Sequence, residues 1–292
     1  MKIINSISEM QRLADTLHQD GKIIGLVPTM GYLHEGHLSL VREAKQRCDV
    51  AVMSIFVNPT QFSPHEDLEA YPRDMDRDVE LAKTVGCDIV FHPQSSEIYP
   101  EGYLTYVQVE KITRLLCGKS RPTHFRGVTT IVAKLFNIVK PHIAVFGQKD
   151  AQQALVIRRM VDDLNFDIEI VVAPIVRERD GLAMSSRNTY LSAGQRNQAV
   201  ALSQALFIAK EEIEEGERDS AALKKIIRNR LSQLPEGEID YIEIVDTGNL
   251  RPVKKLSGEV LVALAVKIGK TRLIDNFIIE VENTGTNHRT IR

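Results

Sequence analysis

Pro28-Thr29-Met30-Gly31-Tyr32-Leu33-His34-Glu35-Gly36-His37 follows the apolar stretch Lys22 to Val27 and precedes an amphipathic helical pattern. It reads as a strand, a sharp turn and a helix, with two imidazoles at the junction. A helix that starts near Gly36 puts one ring at its mouth and the other in its first turn, where unpaired N–H groups and the helix dipole favour a phosphate. Gly31 permits the turn off the strand, and Gly36 leaves no side chain where a nucleotide would lie against backbone. The plain alternatives are two polar residues at an ordinary helix start, or half of a zinc site. Zinc wants three or four ligands, and the chain has neither H-E-x-x-H nor a cysteine pair at ligand spacing. Position favours the phosphate, because the motif occupies the first crossover of an alternating β/α chain.

Outward from this stretch, strand-like apolar runs recur at Ile23 to Val27, Val50 to Val57, Asp88 to Phe91, Ile143 to Phe146 and Ile168 to Val172. Helix-period segments separate them: Leu38 to Arg47, Met75 to Val85, Val128 to Val139, and Ala151 to Asp163 with Asp150 as its expected N-cap. Parallel neighbours need crossover connections, so the alternation predicts an α/β fold with a Rossmann-like, doubly wound parallel sheet. The ligand crevice then opens at the carboxyl ends of the strands. After Pro174 to Gly181 the pattern changes to two long helices, about Ala193 to Glu215 and Ser220 to Leu234. Three runs follow with no helix between them, Tyr241 to Val245, Val260 to Ile268 and Arg272 to Ile279. These predict a smaller α+β domain built on an antiparallel sheet. The expected boundaries are 1–175 for the first domain, 176–283 for the second and 284–292 for a disordered tail.

The 292 residues and 43% hydrophobic content suffice for two ordinary cores. Lys and Arg number 37 against 39 Asp and Glu, which argues against a nucleic-acid partner held by a basic face. The N-terminus carries no cleavable signal pattern, and Val260 to Val266 is far shorter than the roughly 18 apolar residues that span a bilayer. A cytoplasmic protein without membrane contact is expected. Cys48, Cys87 and Cys117 cannot all pair and read as buried free thiols.

Two further segments fall at the same predicted sheet edge, and a third lies at the predicted domain boundary. Asn58-Pro59-Thr60-Gln61-Phe62 follows the second strand, and its amides can both donate and accept, as recognition of a hydroxy acid or an amine requires. Gly147-Gln148-Lys149-Asp150-Ala151-Gln152-Gln153 follows a later strand. Lys149 can neutralise phosphate charge there, and Gln153, one turn on, can face the same cleft. Gly181-Leu182-Ala183-Met184-Ser185-Ser186-Arg187-Asn188 combines backbone freedom, hydroxyls and a planar cation, a mixture suited to a loop over a polyphosphate. The charged runs at Arg42, Lys45 and Arg47, and at Glu211 to Glu215, read as solvated helix faces.

Taken together and in this order, Pro28 to His37, Asn58 to Phe62, Gly147 to Gln153 and Met184 to Arg187 resemble the pantothenate synthetase (pantoate–β-alanine ligase) family over residues 1 to about 283. More broadly, the first and last segments resemble the HxGH and KMSKS signatures of nucleotidyltransferases and class I aminoacyl-tRNA synthetases. Met184-Ser185-Ser186-Arg187 departs from the synthetase lysines and matches the ligase family, and Gln148 stands where many members carry Glu. The resemblance implies ATP-dependent condensation of (R)-pantoate with β-alanine through a pantoyl adenylate, releasing AMP and pyrophosphate. It also implies Mg²⁺ on the nucleotide, a small C-terminal domain acting as a lid, and a homodimer. Carried onto this chain, the ATP contacts fall on Met30, Gly31, Tyr32, Leu33, His34, Glu35, Gly36, His37, Gly147, Gln148, Lys149, Asp150, Val176, Met184, Ser185, Ser186 and Arg187. Among them His37, His34, Lys149, Ser185, Ser186 and Arg187 are the expected catalytic groups, with His37 as proton donor. Pantoate is expected at Gln61 and Gln153 and β-alanine near Gln61 and Asn58, while Tyr71 and Arg121 are weaker carry-overs. The metal ligands stay open. The competing readings are an adenylyltransferase acting on a phosphate acceptor and a nucleotide-sensing module without catalysis.

Overall fold

The computed structural model describes residues 1–64 and 66–282. The expected tail, 284–292, lies outside them. The chain divides into two compact units, one of Met1–Tyr190 and one from Leu191 onward. The first unit thus ends at Tyr190, where sequence patterning placed the boundary between 175 and 176, and it carries the Met184 to Arg187 loop.

In chain order the first unit runs β1 (Lys2–Ile4), α1 (Ile7–Gln19), β2 (Ile24–Thr29), α2 (Glu35–Lys45), β3 (Val50–Ile55) and a 3₁₀ turn at Pro59–Gln61. It continues with α3 (Met75–Thr84), β4 (Ile89–Phe91), the single turns α4 (Ser95–Ile98) and α5 (Cys117–Ser120), α6 (His124–Val139), β5 (Ile143–Gly147), α7 (Ala151–Leu164) and β6 (Glu169–Ala173). The strands form one six-stranded sheet in the order β1-β4-β3-β2-β5-β6, every pair parallel. Ile24 and Leu26 of β2 face the core built with α1, α6 and α7, and Val27 faces the one built with α2 and α3. This is the two-sided burial that a doubly wound sheet requires.

The sheet's order reverses at β2, from which the chain proceeds through β3 to one edge and through β5 to the other. Pro28 shapes that point. Ile24 exchanges backbone and ring bonds with His142 on the β5 side, so by alternation the N and C=O of Pro28 point the same way. The β2–β5 ladder stops at Leu26, whereas β2–β3 continues through Thr29. A residue with no N–H sits where no partner strand needs one, and β5 is free to diverge. The gap between the carboxyl ends of β2 and β5 is the crevice.

Sequence patterning left β1 and α1 unassigned and ended β2 at Val27, two residues early. Asp150 stands at the N-cap position of α7, but its side chain makes no cap bond there. It lies 3.8 Å from the Lys149 ammonium instead. Cys48, Cys87 and Cys117 form no disulfide with one another; Cys87 and Cys117 are buried as expected, whereas Cys48 is half-buried.

The second unit consists of α8 (Ala193–Glu214), α9 (Ser220–Leu231), β7 (Gly237–Asp246), β8 (Gly258–Ile268) and β9 (Thr271–Val281). Its strands pair antiparallel in chain order, with β8 central and buried from Val260 to Val266. No described helix is long and apolar enough to cross a membrane.

Candidate active site

A cavity at the carboxyl ends of β2, β3 and β5 lies wholly within the first unit. His34, His37, Lys149 and Arg187 line it together with Gln61 and Gln153, and α6 contributes apolar lining that includes Val128 and Leu135.

The two histidines are organised by the helix they precede. His34 is the N-cap of α2, in extended backbone with φ −140 and ψ 174. Its Nδ1 accepts the Gly36 N–H at 3.1 Å, and the His37 Nδ1 accepts the His34 N–H at 3.3 Å. Imidazoles here take the places of Ser and Glu in a reciprocal capping box. Each Nδ1 is an acceptor, so each ring is the neutral tautomer carrying its proton on Nε2. Burial, with the Lys149 charge nearby, lowers His34 to about 4. Burial, His34 and Lys149 hold His37 well below the ordinary imidazole value. The ring centroids are 4.0 Å apart with the planes tilted by 34°, so the two imidazoles are neighbours at the cavity.

This changes the expected origin of the phosphate affinity. The Gly36 N–H is taken by the His34 ring, and the His37 and Leu38 N–H groups bond the His34 carbonyl. The donors left for an anion are the Nε2–H groups rather than the backbone amides at those positions. Gly36 is needed for a different reason as well, since a Cβ there would lie 2.8 Å from His34 Cε1 and 2.9 Å from Nδ1. The absent side chain makes room for the capping ring.

Of the expected ATP contacts, Met30, His34, Gly36, His37, Gly147, Lys149, Asp150, Val176, Met184, Ser185, Ser186 and Arg187 border the cavity. Gly31 and Tyr32 border a second cavity, with Asp78 and His92, instead. Leu33 is fully buried in the core with α2. Glu35 is exposed and paired with Arg42, and Gln148 does not line the main cavity. The Met184 to Arg187 loop is set by a short hairpin, in which Met184 N–H bonds the Val176 carbonyl and Glu178 N–H bonds the Leu182 carbonyl. Ser186 then donates to the Tyr32 carbonyl at 3.2 Å, tying this loop to the histidine turn. Arg187 forms a two-point pair with Asp67, both bonds at 2.9 Å, and its guanidinium lies 5.6 Å from the Tyr71 ring centroid.

Gln61, Gln153, Asn58, Tyr71 and Arg121 all reach the cavity wall. Asn58 spends its amide on the protein: Nδ2 donates to Gln61 Oε1 and to the Gly127 carbonyl, each at 3.1 Å, and Oδ1 accepts from Thr60 and Tyr99. Its part is to orient Gln61 rather than to offer free groups to a ligand. Arg121 donates to Glu66 and to the Gln61 carbonyl.

Sequence patterning missed two residues. His124 at the start of α6 is buried and held at about 4 by burial and by Arg121. Its Nδ1–H donates to the Gln61 carbonyl at 3.0 Å while Nε2 accepts from Arg121 at 3.2 Å. Asp78 of α3 is buried against the histidine turn. A carboxylate inside an otherwise ordinary amphipathic helix was the only signal for it. No group of three His, Cys, Asp or Glu among the described residues has metal-binding geometry.

A family model described as pantoate-beta-alanine ligase matches residues 2–278. The pantothenate synthetase of Acetivibrio thermocellus is 59% identical over 281 residues, which is 96% of this chain and 100% of that protein. The crystal structure of pantothenate synthetase from Thermus thermophilus is similar with a TM-score of 0.90 at 43% identity, covering 95% of this chain and 99% of that one. The pantoate-beta-alanine ligase from Francisella tularensis, solved in complex with beta-gamma ATP and beta-alanine, is similar with a TM-score of 0.77 at 35% identity, covering 95% and 97%. With a match of this extent over both of its units, the chain belongs to the pantoate–β-alanine ligase family.

Proposed function

We propose that this chain joins pantoate to β-alanine at the expense of ATP, by way of a pantoyl adenylate, in the cavity at the carboxyl ends of β2, β3 and β5. The observation that carries the reading is the presence on the wall of one cavity of a cationic, imidazole-rich set, His34, His37, Lys149 and Arg187, together with the amide side chains Gln61 and Gln153. The first set suits a triphosphate, and the second suits a small acid bearing hydroxyls.

A carboxylate at neutral pH does not accept an amine, because its carbon is shielded by negative charge and oxide is a poor leaving group. In the first step a pantoate carboxylate oxygen forms a bond to the α-phosphorus as the bond from that phosphorus to pyrophosphate breaks. Charge builds on the bridging oxygen, where the Nε2–H groups of His34 and His37 donate. Lys149 and Arg187 neutralise the departing phosphates. In the second step the free amine of β-alanine forms a bond to the acyl carbon, the C–O bond breaks with its electron pair leaving on AMP, and the proton shed by the nitrogen passes to water. Catalysis is positioning plus electrostatics, without a covalent enzyme intermediate. Because both rings are neutral in the free protein, His37 acts as a hydrogen-bond donor from Nε2 rather than as an imidazolium acid.

Mg²⁺ on the nucleotide fits the donor set. Magnesium is usually held by one or two carboxylates together with substrate phosphates, and among the described residues the carboxylate on the cavity wall is that of Asp150. Bound there, the ion supplies charge neutralisation. We extend the reading to a homodimer, for which sedimentation equilibrium is the test.

The adenylyltransferase alternative makes a different product, and the sensing alternative makes none. Isotope exchange between pyrophosphate and ATP, run with pantoate and without amine, should be rapid and dependent on pantoate. Release of ADP and orthophosphate, or exchange indifferent to pantoate, refutes the proposal. His37→Ala should lower the exchange rate constant by roughly 10², the scale of one lost transition-state donor.

A further inference from the structure

The turn that delivers His34 and His37 to the cavity is held from behind by a residue that lies in none of the motif segments. Asp78, in the first turn of α3, is 1% exposed. Its two carboxylate oxygens accept the N–H groups of Tyr32 and Leu33, each at 2.6 Å. The turn is left-handed at consecutive residues, with φ 80 at Gly31 and φ 48 at Tyr32. A non-glycine residue persists in that region only where its surroundings over-determine it.

Those surroundings are specific. A Cβ on Gly31 would lie 3.0 Å from Asp78 Oδ2 and 3.0 Å from Ile55 Cγ2, so turn and carboxylate are already in contact. The Arg77 guanidinium lies 3.6 Å from Asp78 Oδ1 and 5.1 Å from the centroid of the Tyr32 ring. On the other side of the same residue, the Tyr32 carbonyl accepts the Ser186 hydroxyl. Tyr32 is therefore gripped at its N–H by α3 and at its C=O by the Met184 to Arg187 loop. Two residues further on begins the capping box that fixes both imidazole tautomers.

We propose that Asp78 is the positioning residue of this turn: its carboxylate holds Tyr32 left-handed and thereby sets where the Nε2–H groups of His34 and His37 meet the α-phosphate. The proposal rests on the reading of the cavity as an ATP site. Asp78 does not border that cavity and touches no substrate, so it acts through the turn alone. Without the carboxylate, Tyr32 relaxes to negative φ and the peptides of Leu33 and His34 rotate. Near-attack geometry tolerates little of this, since a misplacement of about 1 Å costs on the order of 10² in rate.

The test is pantoate-dependent exchange of pyrophosphate into ATP by the wild-type chain, Asp78→Asn and Asp78→Ala, with kcat and the KM for pantoate measured separately. Asp78→Asn keeps one acceptor oxygen and should lose roughly tenfold in kcat, and Asp78→Ala roughly 10². The KM for pantoate should change far less than kcat in both, because Gln153 lies on α7 and Gln61 is held by Asn58, Arg121 and His124, touching the turn through the Met30 sulfur. The Tyr32 and Leu33 amide protons, bonded at 2.6 Å, should resonate downfield in the wild-type chain and move upfield in both variants. If Asp78→Ala does not fold, Asp78→Asn decides, and Gly31→Ala, which presses on the same carboxylate from the turn side, should reproduce its kcat loss. Wild-type kcat in Asp78→Asn, or a KM for pantoate that rises as far as kcat falls, overturns the positioning role. Absence of pantoate-dependent exchange in the wild-type chain sinks the functional reading instead.

Discussion

Burial holds three cavity histidines uncharged, and this makes the first unit sensitive to acid by a calculable amount. His34 and His124 are lowered to about 4, and His37 is lowered too, in each case chiefly by burial. In the unfolded chain an imidazole titrates near 6.5, so between these values the unfolded state binds more protons than the folded one. The stability that each neutral ring contributes is complete above about pH 6.5 and is lost as pH falls towards 4. At pH 5 the loss is about 2 kcal/mol for His34 and about 2 kcal/mol for His124, with His37 adding in the same direction. Asp78 opposes this, since burial pushes its carboxyl above the usual range and protonation then favours the folded form. A loss of about 4 kcal/mol is a large part of the 5–15 kcal/mol typical of a domain. The assay is urea unfolding at pH 8 and pH 5, followed by amide exchange in β2 and β3 so that only the first unit is reported. His124→Gln can keep both bonds of the ring, to the Gln61 carbonyl and to Arg121, without titrating. Its loss between pH 8 and pH 5 should be smaller than that of the wild-type chain by about 2 kcal/mol. If variant and wild type lose the same amount, His124 is not held neutral and the reasoning fails.

Three substitutions separate the parts of the site. Gly36→Ala puts a Cβ 2.8 Å from the His34 ring, so the ring should leave its capping position; KM for ATP should rise at least roughly tenfold, about 1.4 kcal/mol, while KM for β-alanine holds. Gly127→Ala puts a Cβ 2.4 Å from the Thr60 carbonyl and 2.6 Å from the Gln61 N, both backbone atoms. It should destabilise by about 1–3 kcal/mol in urea unfolding and raise the KM for pantoate rather than for ATP. Arg187→Lys keeps the charge but cannot make the two-point pair with Asp67; a drop of roughly 10² in the exchange rate constant is expected, and wild-type exchange would remove the planar fork from the account.

Much of the architecture was legible because hydrophobic period and local punctuation report it directly. Five of the six parallel strands, the crossover helices and the later antiparallel runs follow from apolar spacing. β1 and α1 escaped because a three-residue strand carries almost no period, although Ile7, Met10, Ala14 and Leu17 do mark a helix face. Pro28 also hid the end of β2, since a proline in a central strand is ordinarily a stop signal. Only the divergence of β5 makes it tolerable there.

The candidate site divides in the same manner. Spacing within a single segment puts His34 and His37 on one helix start, and three segments at strand ends predict one crevice, with the fourth at the domain boundary. Local spacing is silent on partners dozens of residues away. It does not reveal that Asp78 holds the histidine turn, that His124 and Asn58 orient Gln61, or that Asp67 pairs with Arg187. It also suggested free helix N–H groups as the phosphate handle, where the folded chain caps one of them with His34 and leaves the imidazole protons on Nε2. Sequence by itself determined which chemical groups gather at the carboxyl edge of the sheet, because periodicity and chain order are one-dimensional properties. Tertiary structure alone decided their tautomers, their charge and which of them are already spent on the protein, because burial and hydrogen-bond geometry depend on neighbours that only folding brings within about 3 Å.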